Sequence, residues 1–213
     1  GFEQTVNFSL SDVITHKDYN FYSQDNDIAL IKLKTPLDFS RSRHVQPILL
    51  VDPNVQYNTS KCHIRLSFDE VFCKEIFLNG KFNLKSTDAF IVGWGTDDFN
   101  SNDAADILQK TTVTIFSDLY CNRQWGDDYH KETMICASGT RDSNFPRHNH
   151  YKRVPDACKG DSGGPLITQG TDNSKWYLVG IVSWGFQCGI PEYPGMYTRV
   201  ENYLAWIREN RQW

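Results

Sequence analysis

The apolar residues of this 213-residue chain come in strand-length runs, most of them closed off by turn-forming residues. Val6–Leu10, Val13–His16, Ile28–Leu33, Phe90–Trp94, Thr111–Phe116, Leu166–Thr168, Tyr177–Trp184 and Met196–Val200 are rich in Val, Ile, Thr and aromatics, and each reads as a strand. Irregular spacing and intervening Gly and Pro point to an all-β barrel fold. Only two segments have helical character. Ser117–Cys121 opens with a good N-cap residue and reads as a short helix. In the tail from Glu201 to Arg211, Tyr203, Leu204, Trp206 and Ile207 recur at helical spacing, and Arg208 and Arg211 lie near the end, where cations suit the helix dipole. Two polar stretches, Val51–Ala89 and Gly139–Pro155, read as insertions; the second is locally basic through Arg141, Arg147, Lys152 and Arg153 and reads as a solvated surface loop.

Charge narrows the function classes. A net charge of -4 argues against nucleic acid or an anionic membrane as the main partner. No apolar run approaches the roughly 20 residues that a membrane helix requires. The six cysteines, Cys62, Cys73, Cys121, Cys136, Cys158 and Cys188, form no Cys-x-x-Cys pair, so disulfides in an oxidising compartment are the better reading. The sequons at Asn7 and Asn58 agree with a secreted, extracellular chain. His148 and His150 stand two apart, but no further ligands at metal spacing join them; neither a metal nor a cofactor is expected.

The chemistry concentrates in Asp156-Ala157-Cys158-Lys159-Gly160-Asp161-Ser162-Gly163-Gly164-Pro165. A serine becomes a useful nucleophile only when its hydroxyl is exposed beside a base and near donors for the developing oxyanion. The flanking glycines let the backbone take the needed conformation and let a substrate approach closely. A bare Gly-x-Ser would read equally well as a turn between strands; a pattern ten residues long does not.

This segment resembles the active-serine motif of the chymotrypsin/trypsin proteases, which work through a serine, a histidine and an aspartate. The resemblance extends in the family's order through Asp25-Asn26-Asp27-Ile28-Ala29-Leu30-Ile31-Lys32-Leu33, Phe90-Ile91-Val92-Gly93-Trp94-Gly95, Ile181-Val182-Ser183-Trp184-Gly185 and Pro194-Gly195-Met196-Tyr197-Thr198-Arg199-Val200, the last matching the far wall of the specificity pocket. It implies a double β-barrel with the first barrel incomplete, plus a C-terminal helix. Residues 1–89 would hold the remainder of the first barrel and an insertion, 90–200 the second barrel, and 201–213 the helix. It implies Ser162 as nucleophile, Asp27 as the acid that orients a histidine, and the Gly160 and Ser162 amides as the oxyanion hole. Ser183, Trp184 and Gly185 would line the cleft and bond the substrate main chain. Asp156 would sit at the base of the primary pocket, with Gly185 and Gly195 leaving its walls open. A buried carboxylate there wants a counter-charge, which Arg or Lys of a protein or peptide substrate supplies. Protease inhibitors are the other expected partners. Cys121–Cys136 and Cys158–Cys188 match two family bridges. A third is absent, its positions falling at Ala89 and Thr168; Leu49 stands where relatives carry a cysteine that tethers a pro-segment. Cys62–Cys73 would close a small local loop that has no family counterpart.

The pattern breaks at the base. The family's histidine segment lies some forty-five residues before its aspartate, and none precedes Asp27 here. His16 matches a strand-end histidine of the family instead. The family also frees an Ile- or Val-led amino terminus from a zymogen to pair with the aspartate that here is Asp161, and Gly1-Phe2-Glu3-Gln4 is not such a terminus. Three readings compete: a piece of a longer active serine endopeptidase, a chain completed by a second polypeptide, and a non-catalytic homologue acting as a binding module. The first is favoured, because a binding module has no physical need to keep nucleophile, acid and charged pocket together. The 213 residues alone are expected to be close to inactive.

Overall fold

The computed structural model describes residues 6–40, 45–51, 87–139, 153–170 and 175–211. The expected Cys62–Cys73 bridge, the Asn58 sequon, His44, His63, His148 and His150, and most of both insertions lie outside the described residues.

The architecture is mostly β, with few helices, and agrees with a chymotrypsin-like fold. Strands β1 (Val13–Thr15) and β2 (Ala29–Ile31) pair antiparallel as a separate two-stranded sheet. The larger sheet holds β3 (Leu49–Leu50), β4 (Thr87–Gly93), β5 (Gln109–Ile115), β6 (Met134–Ser138), β7 (Pro165–Gln169), β8 (Trp176–Trp184) and β9 (Gly195–Arg199), in the order β3-β8-β7-β4-β5-β6-β9. An additional β8–β9 pairing closes six of these strands into a barrel and leaves β3 outside, parallel to β8. Closure removes the free edges that an open sheet would present.

The barrel interior is filled by alternate residues: Ala89 and Ile91 of β4, Val113 and Ile115 of β5, Leu166 of β7, and Tyr177 and Val179 of β8. That spacing of two is the strand's own side-chain period. β6 and β9 depart from it, because all five residues of each are buried. Behind them a second cluster gathers Cys121, Tyr129, Met134, Cys136 and Met196. Helix α1 (Asp118–Trp125) covers this side, capped by Ser117, whose hydroxyl accepts from the Tyr120 amide at 3.2 Å. The Cys121–Cys136 bridge ties α1 to β6. Arg199, 6% exposed, would be costly without partners. It donates to the Met134 carbonyl at 3.0 Å, to Glu201 at 3.1 Å and to Asp118, which joins β6, β9 and α1.

Two boundaries differ from the sequence pattern. Val6–Leu10 is not a strand: residues 6–9 have no regular structure, and Leu10–Asp12 forms a 3-10 turn. The Ser9 amide and hydroxyl both donate to Asp12 Oδ2 at 2.7 Å, a local bonding scheme that competes with a strand ladder. The C-terminal helix starts as a 3-10 turn, Val200–Tyr203, before α2 (Leu204–Asn210). His16, at the end of β1, packs against Tyr203 and Trp206 with ring centroids 5.5 and 5.2 Å apart, docking this tail. Among the described residues no helix is long and apolar enough to cross a membrane.

Candidate active site

The loop before β7 is shaped by its glycines. Gly160 and Gly163 have φ of 92° and 77°, a region that side chains with a Cβ rarely adopt. The loop is stitched to β8, since Gly163 N donates to the Val182 carbonyl and Val182 N to the Gly164 carbonyl, both at 2.9 Å. The Cys158–Cys188 bridge fastens its other side. Asp161 turns inward and accepts from the amides of Gly95 at 2.8 Å and Cys158 at 2.9 Å. A Cβ on Gly93 or Gly95 would stand 2.0 or 2.4 Å from that carboxyl group, so both positions demand glycine. With Asp161 turned in, Ser162 is left exposed to solvent. The amides of Asp161, Gly163 and Gly164 all meet backbone carbonyls, whereas those of Gly160 and Ser162 have no backbone acceptor among the described residues.

Ser162 shares a cavity of about 190 Å³ with Asp156, Ser183, Trp184, Gly185 and Gly195. Asp156 accepts from the amides of Gly189 and Ala157, both at 2.9 Å. Burial pushes its carboxyl up to about 7, against the lowering effect of those two bonds. A Cβ on Gly195 would come within 2.9 Å of Asp156 Oδ1 and 3.4 Å of the Tyr197 hydroxyl, so glycine keeps this wall open. The Tyr197 hydroxyl is buried without a hydrogen-bond partner among the described residues, and burial followed by the nearby Asp156 charge raises its pKa well above the ordinary value. At the cavity mouth, Lys159 places its ammonium 4.6 Å from the Phe99 ring, and Arg153 pairs with the adjacent Asp98 at 2.9 Å.

Asp27 reaches the same cavity through Ser183. The β8–β9 register shifts between Val182 and Trp184, and a bulge of this kind re-aims the side chain it carries. Ser183 Oγ donates to Asp27 Oδ2 at 2.6 Å, while Thr198 Oγ1 donates to the Asp27 carbonyl at 2.6 Å. The hydroxyl at 162, the carboxyl at 156 and the acid at 27 thus belong to one connected site. His16 is engaged with the C-terminal tail. His130, the other described histidine, donates from Nδ1 to Asp25 at 2.7 Å.

Sequence reasoning missed this last interaction. Asp25 also accepts from Thr133 Oγ1 at 2.6 Å and Ser23 Oγ at 2.7 Å. Asn26, at φ 56°, accepts from the Tyr203 hydroxyl at 2.9 Å. Three consecutive residues, 25 to 27, therefore each bond a different part of the barrel side. Phe99 and Lys159 were also overlooked, the latter although it lies within the nucleophile motif, whereas Tyr197 belongs to the segment expected to form the far wall of the pocket. Apart from the local Ser23–Asp25 bond, these pairings join residues far apart in the chain, and no local pattern in the sequence marks them.

Comparison with known proteins agrees with this geometry. The family model described as Trypsin matches residues 2–64 and 79–207. Trypsin-1 of Astacus astacus is 34% identical over 210 residues, covering 99% of this chain and 69% of that protein. Trypsin of Xenopus laevis is 31% identical over 208 residues, covering 98% of this chain and 65% of that protein. The chain thus spans about two thirds of the length of these curated relatives. Among solved structures, neuropsin, a serine protease expressed in the limbic system of mouse brain, aligns with a TM-score of 0.67 and 26% identity, over 97% of this chain and 71% of that one.

Proposed function

The chain belongs to the trypsin family of serine proteases, and from that premise we propose that it carries the nucleophile, acid and specificity pocket of an endopeptidase that cleaves after Arg or Lys. The observation that carries this reading is the shared cavity, with Ser162 at its rim, the buried Asp156 carboxyl in its wall and Asp27 hydrogen-bonded to a lining residue. In the proposed reaction the Ser162 hydroxyl oxygen attacks the scissile carbonyl carbon and gives its proton to a base. The Gly160 and Ser162 amides, free of backbone acceptors, stabilise the oxyanion. Collapse of the intermediate breaks the peptide C–N bond, the base returns the proton to the leaving amine, and water then releases the acyl group. Ser183 to Gly185 bond the substrate main chain, and Asp156 receives the cationic side chain. The two disulfides fit a secreted protein, and the family membership supports production as a zymogen, with protein substrates and protease inhibitors as partners.

Neither described histidine ring bonds Asp27, since His16 packs on Tyr203 and Trp206 and His130 bonds Asp25, and we place the base outside the described residues. The isolated 213-residue chain is accordingly expected to hydrolyse Arg or Lys esters more slowly than an intact relative, by a factor on the order of 10⁴–10⁶. Efficient turnover by the purified chain would refute this. That no histidine bonds Asp27 among the described residues also keeps open the alternative of a non-catalytic homologue that binds partners through the same cleft. A fluorophosphonate probe applied to the full-length product separates the two: labelling at Ser162 supports the protease, and absence of labelling supports the binding module.

A further inference from the structure

The sequon Asn7-Phe8-Ser9 falls on a segment that the proposed reaction does not use. Residues 6–9 have no regular structure, Asn7, Phe8 and Ser9 are exposed, and none of them lines the cavity that holds Ser162 and Asp156. A sequon has two working parts, an acceptor carboxamide and a hydroxyl two residues on that marks it for modification. The fold treats these parts differently. Ser9 Oγ donates to Asp12 Oδ2 at 2.7 Å and lies 2.8 Å from Ser11 Oγ, while Ser9 N donates to the same carboxylate oxygen at 2.7 Å. Lys34 Nζ stands 3.2 Å from that oxygen and holds the carboxylate from another side. The marking hydroxyl is thus drawn into the turn, where side chains of this kind commonly bond the local backbone. The Asn7 carboxamide, by contrast, meets no hydrogen-bond partner among the described residues. It is flanked by two apolar side chains left in solvent, Phe8 at 52% and Leu10 at 91% exposure.

We propose that Asn7 carries an N-linked glycan, attached before the chain folds, and that this glycan shields Phe8 and Leu10. The co-reactant is an oligosaccharide carried on a lipid pyrophosphate. The Asn7 amide nitrogen attacks the anomeric carbon, a C–N bond forms, and the C–O bond to the pyrophosphate breaks. The amide gives up one proton, which ends on the departing pyrophosphate, and nothing is oxidised or reduced. Transfer precedes closure of the Leu10–Asp12 turn, because closure engages the Ser9 hydroxyl. Once the turn has closed, the sugar remains compatible with the fold, since the acceptor side chain takes no part in it. The inference rests on the secretory reading given above, and the test separates the two.

The full-length product is expressed in cultured animal cells and treated with peptide-N-glycosidase F in heavy-oxygen water, which converts a glycosylated asparagine into a labelled aspartate. Digestion after Lys17 puts Asn7 on a different peptide from Asn58. The label is expected at position 7 in most molecules, and Asn7→Gln should abolish it together with the mass of one glycan. Chymotrypsin should nick the folded Asn7→Gln chain after Phe8 and Leu10 severalfold faster than the glycosylated chain. Binding of p-aminobenzamidine should be equal in both, because the segment stands apart from the cavity. An unlabelled Asn7 in a product whose Cys121–Cys136 and Cys158–Cys188 bridges have formed overturns the glycan and leaves secretion standing. An unlabelled Asn7 with free thiols at those cysteines overturns both. A label at Asn7 with equal nicking of the two forms overturns the shield.

Discussion

At the scale of single residues, Asp156 has the most direct consequences. Its carboxyl is raised by burial from an ordinary value of 3.8 to about 7. Between those values the folded chain retains a proton that the unfolded chain has lost, so the group contributes stability at low pH that disappears as pH rises through about 7. Asp156→Asn should therefore raise Tm at pH about 8, by roughly 2–4 °C for each kcal/mol of relieved burial, and the gain should shrink steadily as pH falls and vanish below the ordinary value of 3.8; thermal scans across this range check this. A cationic ligand requires the ionised form, so wild-type affinity for p-aminobenzamidine should climb from pH about 6 to about 8, and the Asn variant should show neither the affinity nor the climb. Asp156 and Ser162 were legible in the sequence because one short, unusual segment carries both. Asp25 was not, because its meaning comes from His130 and Thr133, more than a hundred positions away.

Among the elements, legibility followed burial geometry. β7 and β8 alternate between buried and half-buried positions and were recognisable from their composition. β6 is buried at every position and offers no alternation to detect, and the two-residue β3 is too short to leave a pattern. Val6–Leu10 has strand composition, but its Ser9 and Asp12 side chains bond locally. The register of β4 and β7 gives meaning to a missing bridge. Phe90 pairs with Ile167, and extending that antiparallel ladder by one pair sets Ala89 opposite Thr168. Both are fully buried, and the Thr168 hydroxyl donates to the Asp88 carbonyl at 2.8 Å, so the site is already satisfied without sulfur. Facing residues in such a ladder have Cα atoms about 4.5–5.5 Å apart, within disulfide range. The double substitution Ala89→Cys and Thr168→Cys is expected to oxidise spontaneously and to raise unfolding stability by about 2–4 kcal/mol. Denaturant titration with and without reductant measures the gain.

For the molecule as a whole, residues 25 to 27 are the seam between the β1–β2 sheet and the barrel. Burial raises the Asp25 carboxyl, but hydrogen bonds from Thr133, Ser23 and His130 outweigh it and hold the group below the usual carboxylate range. The seam is therefore intact at neutral pH and weakens only as pH falls through that lowered value. Asp25→Asn should leave barrel amides protected while speeding hydrogen exchange at Ile14 and Leu30, which pair with each other in the separate β1–β2 sheet. The barrel itself could be anticipated from strand count and family resemblance, but this seam could not, since it consists of side-chain bonds across long sequence separations. β8 has one further consequence. The strand that presents Ser183 and Trp184 is also a stave of the barrel, paired with β7 as far as Ile181 and with β9 as far as Trp184, so the cleft wall is anchored in the closed sheet. The cavity acts as a die rather than a jaw. A small cation mixed rapidly with the chain should associate in a single phase whose observed rate grows linearly with concentration, with no plateau to betray a closing step.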